Sequence, residues 1–283
     1  MKVEAVTTHC GARIEGVDLS GPVGEDLAES LRHALYRHQV LFLPGQGLDL
    51  TRQKAVTALF GSLMQLPYVV PTDEDPQVIA VRKSAGEVKV GVFGGDWHSD
   101  FSFLAVPPAG SVLSAVTIPR VGGDTLWSNQ VAAFDALDDE LKTLLEDRGV
   151  IHVGAPYGVR HAPPATSRAA TSVKMTRDDP RADEERVHPA VRRHPVSGAR
   201  ALFLNPIYTT RLQGMSEEES APVLARLYRH ATRPEFCCRH RWRPGDLVIW
   251  DNRTTLHYAV NDYDGYDRLL YRTAFSDGLA PAA

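Results

Sequence analysis

Three side chains in this sequence have the types and spacing of a metal site. His98 and Asp100 lie two apart in the stretch Trp97-His98-Ser99-Asp100-Phe101-Ser102-Phe103. Strict alternation there predicts a strand that aims both at one face and Ser99 at the other. Well downstream, Trp250-Asp251-Asn252-Arg253-Thr254-Thr255-Leu256-His257 delivers a second histidine just after an apolar run. Two imidazoles and one carboxylate make the facial set of non-haem Fe(II) oxygenases, which leaves positions open for a cosubstrate and O2. Arg268 and Arg272 follow, four apart and so on one face of an extended segment. Guanidinium groups match carboxylates bidentately and stay charged when buried, so two of them beside a metal imply an acidic ligand. Thr125 adds a hydroxyl donor for the same carboxylate. In a chain with 11 histidines each of these residues alone reads as structural; their grouping carries the chemistry.

The segments around them predict the scaffold. Val3 to Leu19 alternates in short runs broken by Gly11 and Gly16, a hairpin or pair of edge strands. Glu25 to Arg37 has helical spacing of Leu27, Leu31, Ala34 and Leu35, and Val40-Leu41-Phe42-Leu43 is a buried strand stopped by Pro44-Gly45. A second helix runs from Thr51 to Phe60, capped by Asp49 or Thr51 and closed by Gly61. Strands are predicted at 77–83, 88–93, Gly110 to Ile118 and from Thr125, and a helix capped by Asn129 extends to Arg148, closed by Gly149. The Pro-, Ala- and Arg-rich residues 154–186 read as a lid or flexible loop. Ser216 and Glu219 form a capping box for a helix bearing Leu224, Leu227 and Tyr228. Strands return at Phe236 to Trp242, Leu247 to Trp250 and Arg268 to Phe275. Many short strands with a few helices between them predict a mainly β fold with flanking helices, a jelly roll, as one domain spanning 1–283.

Composition narrows the partners. The chain has 283 residues, 43% of them hydrophobic, enough for a substantial core, and a formal net charge of −4 without a basic stripe. Nucleic acid and membrane partners are not expected, and a small molecule is. The residues at the N-terminus lack the apolar core of a signal peptide, so the expected location is cytoplasmic. Cys10, Cys237 and Cys238 form no C-x-x-C pattern and read as packing residues in a reducing compartment.

The strings WHSD, GGDTLW and IWDNRTTLH, followed by Arg268 and Arg272, resemble the taurine dioxygenase (TauD/TfdA) family of Fe(II)- and 2-oxoglutarate-dependent dioxygenases. The likeness runs from GVDLSGPV and HQVLFLPGQ through HPVSGARALF to the end. It implies a double-stranded β-helix (jelly roll, cupin-like) core in which His98, Asp100 and His257 bind Fe(II) and act in catalysis. Thr125 and Arg268 would then hold the distal carboxylate of 2-oxoglutarate, and O2 would be the second cosubstrate. Arg272 would face the anionic group of the primary substrate and touch the cosubstrate, assisted by the backbone N–H of Phe101. The implied reaction releases succinate and CO2 and hydroxylates the substrate, with cleavage where the oxidised carbon bears a heteroatom. The family commonly forms dimers or tetramers, so a homo-oligomer is expected.

The resemblance also bears on the substrate, a small organic anion. The family's sulfonate-binding His falls at Leu66 and an Asn of taurine enzymes at Gly94; apolar groups there leave an ammonium poorly solvated, against taurine. Asn205-Pro206-Ile207-Tyr208 is more similar to the branch acting on aryloxyalkanoates, with Tyr208 as a donor to a substrate carboxylate and Phe101, Phe103 and Leu66 as apolar walls. An aryloxyalkanoate-like or other carboxylate is the reading, with an alkyl sulfonate or sulfate ester as the alternative. Two other classes compete: a zinc hydrolase, which has no need of Arg268 and Thr125, and a non-catalytic jelly-roll binding protein, which has no need of an intact ligand set.

Overall fold

The computed structural model describes residues 1–160, 162 and 171–283. In chain order it comprises β1 (Lys2–Ala5), β2 (Ala12–Glu15), α1 (Glu25–His38), β3 (Val40–Leu43), α2 (Leu50–Ala58), β4 (Ser62–Met64), β5 (Ile79–Lys83) and β6 (Gly110–Thr117). There follow β7 (Thr125–Asn129), α3 (Gln130–Asp135), α4 (Asp139–Leu145), β8 (Gly149–His152), β9 (Arg186–Pro189), β10 (Val191–Arg193), β11 (Arg200–Leu202) and β12 (Thr209–Leu212). The chain finishes with α5 (Glu217–Ala231), β13 (Cys237–His240), β14 (Leu247–Asp251), β15 (Thr255–Ala259) and β16 (Arg268–Ser276).

Period-two alternation sorts the side chains of the largest sheet onto two faces. That sheet runs β1-β2-β3-β14-β6-β16-β4, with β5 paired to β16. Leu41 and Leu43 of β3, Val112 of β6 and Leu247 and Ile249 of β14 face α1 and α2, packing with Leu31, Leu35 and Val56. Their neighbours Val40, Phe42, Leu113, Val248 and Trp250 point the other way, with Leu270 of β16, and meet Trp127 of β7 and Cys238 of β13. The second face is therefore closed by the small sheet β13-β7-β15. This is the jelly-roll sandwich, helices outside one sheet and the site between the two. Cys10 and Cys238 pack in that interior, as read from the sequence. No helix among the described residues is long and apolar enough to cross a membrane.

Several local expectations change. Residues 97–103 form a turn rather than a strand: His98 makes only an isolated bridge to His257, and Phe101 takes φ +47. Alternation of small and apolar residues suits a turn over a core as well as a strand. Residues 88–93 are not a strand. The helix expected from Asn129 to Arg148 is two, α3 and α4, because Asp138 caps the second by accepting from the Leu141 N–H at 2.9 Å. Gly149 opens β8 instead of closing the helix. Helix α2 ends at Ala58, and Gly61 serves another purpose: a Cβ there would meet the Ser276 carbonyl at 2.5 Å, so glycine permits the approach to β16. The Asn129 cap and the Ser216–Glu219 capping box are present as read. Part of the expected lid, at 161 and 163–170, lies outside the described residues; 171–186 includes a bridge from Met175 to Val69.

The turn from β14 to β15, which carries the chain to His257, is fixed by a buried ion network. Arg253 donates to Asp251 Oδ1 at 2.9 Å and to Asp277 Oδ2 at 2.7 Å, and His194 Nε2 lies 3.0 Å from Asp251 Oδ2. Burial pushes the Asp251 carboxyl up, but Arg253 and His194 outweigh it and hold it well below the usual carboxylate range. A depressed folded pKa adds stability that is complete above the unfolded value of about 3.9 and fades as pH falls below it. Asp251→Asn is expected to cost about 3 kcal/mol at pH 7, the usual scale for breaking a buried pair. Urea unfolding from pH 3 to 8 should show a constant deficit at neutral pH that narrows below about pH 4.

Candidate active site

The turn at 97–103 and strand β15 bring the three expected ligands together. His98 and His257 exchange backbone hydrogen bonds, at 3.0 and 2.8 Å, which pins the turn to the strand. Asp100 Oδ1 then stands 3.4 Å from His98 Nε2 and 3.6 Å from His257 Nε2, and the ligand atoms of all three residues lie within 4.8 Å of one another. All three side chains are buried. His98 Nδ1 lies 2.7 Å from the Asp96 carbonyl; a proton on Nδ1 is donated there, leaving the Nε2 lone pair for a metal. Gly94 precedes the turn at φ +77, where a Cβ would meet His98 Cε1 at 3.1 Å.

Asp100 is held from behind as well. Asn252 accepts from the Asp100 N–H at 2.7 Å and donates back to the Asp100 carbonyl at 3.0 Å and to Pro108 at 2.9 Å. The Ser99 hydroxyl donates to the Asn252 carbonyl at 2.9 Å. The second carboxylate oxygen meets Arg272 Nη2 at 2.5 Å and Ser111 Oγ at 3.3 Å. Burial raises the Asp100 pKa, but the Arg272 guanidinium against its second oxygen outweighs that and holds the carboxyl well below the usual carboxylate range. Burial and the neighbouring His98 push the His257 imidazole the other way, far below its ordinary value. One partner is an anion and the other a neutral base, the protonation states a divalent cation needs.

Two pockets open from this centre, and His98 lines both. The first holds Thr125, Arg268, Arg272, Trp127, Trp250 and His257. Arg268 and Arg272 share a face of β16, as their spacing predicted, and both are buried. Arg268 Nε has no hydrogen-bond partner among the described residues. The second pocket lies on the Asp100 and Phe101 side and is walled by Phe93, Pro156, Tyr157, Met175, Ile207 and Tyr208. Phe101 and Tyr208 line this pocket; Phe103 and Leu66 are buried in the cluster behind, outside its lining. Arg272 lines the first pocket, although its charge also acts on Tyr157 and Tyr208.

Four residues here were not singled out from sequence. Tyr157 lies in the stretch read as a lid, yet its ring stacks on Phe101 at 5.9 Å and 3°. Burial lifts its phenol to about 12 and Tyr208 well above its ordinary value, so both stay protonated donors. Ser111 follows a glycine at a strand start and Asn252 follows a buried strand. Both are common contexts, so nothing marked them. Trp242 ends the strand predicted from Phe236, a position that nothing local marks out.

The family profile described as "Taurine catabolism dioxygenase TauD, TfdA family" matches residues 2–274. An alpha-ketoglutarate-dependent sulfate ester dioxygenase of Pseudomonas putida is 34% identical, over 98% of this chain and 89% of its own. An alpha-ketoglutarate-dependent 2,4-dichlorophenoxyacetate dioxygenase of Cupriavidus pinatubonensis is 32% identical, over 87% of each chain. The crystal structure of a taurine dioxygenase from Burkholderia xenovorans superposes with a TM-score of 0.81 at 30% identity, covering 100% of this chain and 92% of that one. These matches decide against the hydrolase and the non-catalytic readings: the chain belongs to the TauD/TfdA family and is an oxidoreductase of the 2-oxoglutarate-dependent dioxygenase class.

Proposed function

We propose that the protein uses Fe(II), 2-oxoglutarate and O2 to hydroxylate an organic anion with an apolar body, releasing succinate and CO2. The observation that carries this is the division of the site: one pocket with two buried guanidinium groups and a hydroxyl, one walled by aromatic and aliphatic side chains, and a metal-ligating histidine common to both. The donor set fits iron, since two imidazole nitrogens and a carboxylate suit a non-haem Fe(II) site. Iron bound there would supply activation of O2, with electrons drawn from decarboxylation of 2-oxoglutarate.

The chain's own residues do the rest. Arg268 and Thr125 hold the distal carboxylate of 2-oxoglutarate, the planar fork matching its two oxygens. Arg272 holds Asp100 ionised and supplies positive charge for an anionic head group. The Phe101 N–H, at the strained turn, is a further donor toward that head group. Tyr157 and Tyr208 present neutral hydroxyls within the substrate pocket while Phe101, Met175 and Ile207 exclude water from it. Such walls suit an alkyl or aryloxy body better than the ammonium of taurine, which would lose its hydration there. Among such anions an aryloxyalkanoate-like or other carboxylate, or an alkyl sulfate ester, agrees with what the two relatives' names say they act on.

Succinate release in the presence of Fe(II) and 2-oxoglutarate, screened over alkyl sulfates, aryloxyalkanoates, other carboxylates and taurine, tests the reading. Stimulation by an apolar-bodied anion is expected, and stimulation by taurine alone would refute the substrate class. Asp100→Ala should abolish metal binding and succinate release together. Arg268→Ala should raise the KM for 2-oxoglutarate by about 10- to 100-fold, the worth of charge-assisted hydrogen bonds, with a smaller effect on kcat. Tyr208→Phe should raise the KM of the stimulating anion about three- to tenfold and leave that of 2-oxoglutarate unchanged.

A further inference from the structure

Thr125 stands at the start of β7, between His240 of β13 and Ala259 of β15 in the register of the small sheet. Its hydroxyl accepts a hydrogen bond from the Trp242 indole N–H at 2.9 Å, and both residues are buried. An indole N–H donates and cannot accept. One lone pair of the Thr125 oxygen is thereby committed, while its single proton is donated to no group among the described residues. That proton is left for an acceptor in the pocket that Thr125 shares with Arg268, whose Nε is buried and without a partner among the described residues. The contrast with the other indoles of this interior is informative. Trp127 and Trp250 keep buried Nε1 atoms without a partner among the described residues, so a satisfied indole here is not the rule.

The ring that makes this bond is itself held. His240 packs edge-on against it at 4.8 Å and 85°, and His240 in turn stacks on Phe42 at 4.8 Å and 13°. Asp246 Oδ2 lies 3.1 Å from His240 Nε2 and fixes that imidazole. The indole N–H is therefore fixed in direction before any ligand arrives, and a donor fixed in advance costs less ordering when the ligand binds.

We infer that Trp242 is a positioning residue for 2-oxoglutarate: by occupying the acceptor side of the Thr125 hydroxyl, it turns that hydroxyl's proton toward the distal carboxylate held by Arg268. The inference rests on the cosubstrate pocket proposed above and adds to it a residue that never touches the ligand. A merely structural indole would support the sheet without regard to which oxo acid is bound.

Calorimetry on the Mn(II)-loaded protein tests this, with 2-oxoglutarate and with 2-oxopentanoate, which ends in a methyl group where 2-oxoglutarate has its distal carboxylate. Trp242→Phe keeps an aromatic ring and removes the N–H together with part of the indole's bulk; the lost bulk alone would weaken both oxo acids. The substitution is expected to weaken 2-oxoglutarate about three- to tenfold, the range of one hydrogen bond, and to leave 2-oxopentanoate unchanged. In a Thr125→Val background the same substitution should have no further effect. Equal weakening of both oxo acids, or an undiminished effect in the Thr125→Val background, would make Trp242 a packing residue and overturn the inference. If Thr125→Val and Arg268→Ala themselves leave 2-oxoglutarate binding unchanged, the pocket assignment fails and the inference with it. Should Trp242→Phe not fold, indole NMR of the Zn(II)-loaded protein serves instead: an indole resonance moved by Thr125→Val is expected to respond to 2-oxoglutarate and not to 2-oxopentanoate. A resonance indifferent to the distal carboxylate would contradict it.

Discussion

A buried carboxylate kept ionised is the constraint on which the rest of this structure depends. Asp100 is 1% exposed, and burial by itself would protonate it. The Arg272 guanidinium, 2.5 Å from Asp100 Oδ2, prevents that, so the anion survives only while the turn at 97–103 and β16 keep their places. The sandwich can be understood from this requirement. The large sheet delivers Arg272 and Ser111, the small sheet delivers His257, and the turn between β5 and β6 delivers His98 and Asp100. Asn252, in the turn that joins β14 to β15, ties the Asp100 backbone to the segment leading to His257.

The arrangement also explains why the site has two chemically distinct sides. Arg268 and Arg272 lie on one face of β16 because side chains alternate along a strand, and that face looks into the space between the sheets. Charge is thus gathered on the sheet side. The opposite side is made by irregular chain, the turn at Phe101 and the segments holding Tyr157, Met175 and Tyr208, whose packing is aromatic. Irregular segments can vary without disturbing the sheets.

Much of this was legible in the sequence. Strands such as Val40–Leu43 and the Leu247 to Trp250 part of β14 announce themselves as unbroken apolar runs, and the spacing of Arg268 and Arg272 predicts their common face directly. Residue type and grouping single out His98, Asp100 and His257, but the alternation that predicts a strand for the first two does not make one. Alternation at 97–103 arises from a turn at Phe101, and the ligands converge through the bridge to His257. What stayed hidden shares a physical reason. Tyr157, Ser111, Asn252 and Trp242 act through partners distant in the chain, and nothing local distinguishes them from ordinary loop, strand or core residues. Asp138 split a long helical pattern because a single cap outweighed the continuity of its leucines.

The most direct test of the two-pocket assignment is a crystal structure with Mn(II) and N-oxalylglycine, an analogue of 2-oxoglutarate. The expected result is a metal bound by His98, Asp100 and His257, with the distal carboxylate of the analogue between Arg268 and the Thr125 hydroxyl. A carboxylate lodged instead against Tyr157 and Tyr208, or a metal bound without Asp100, would contradict it.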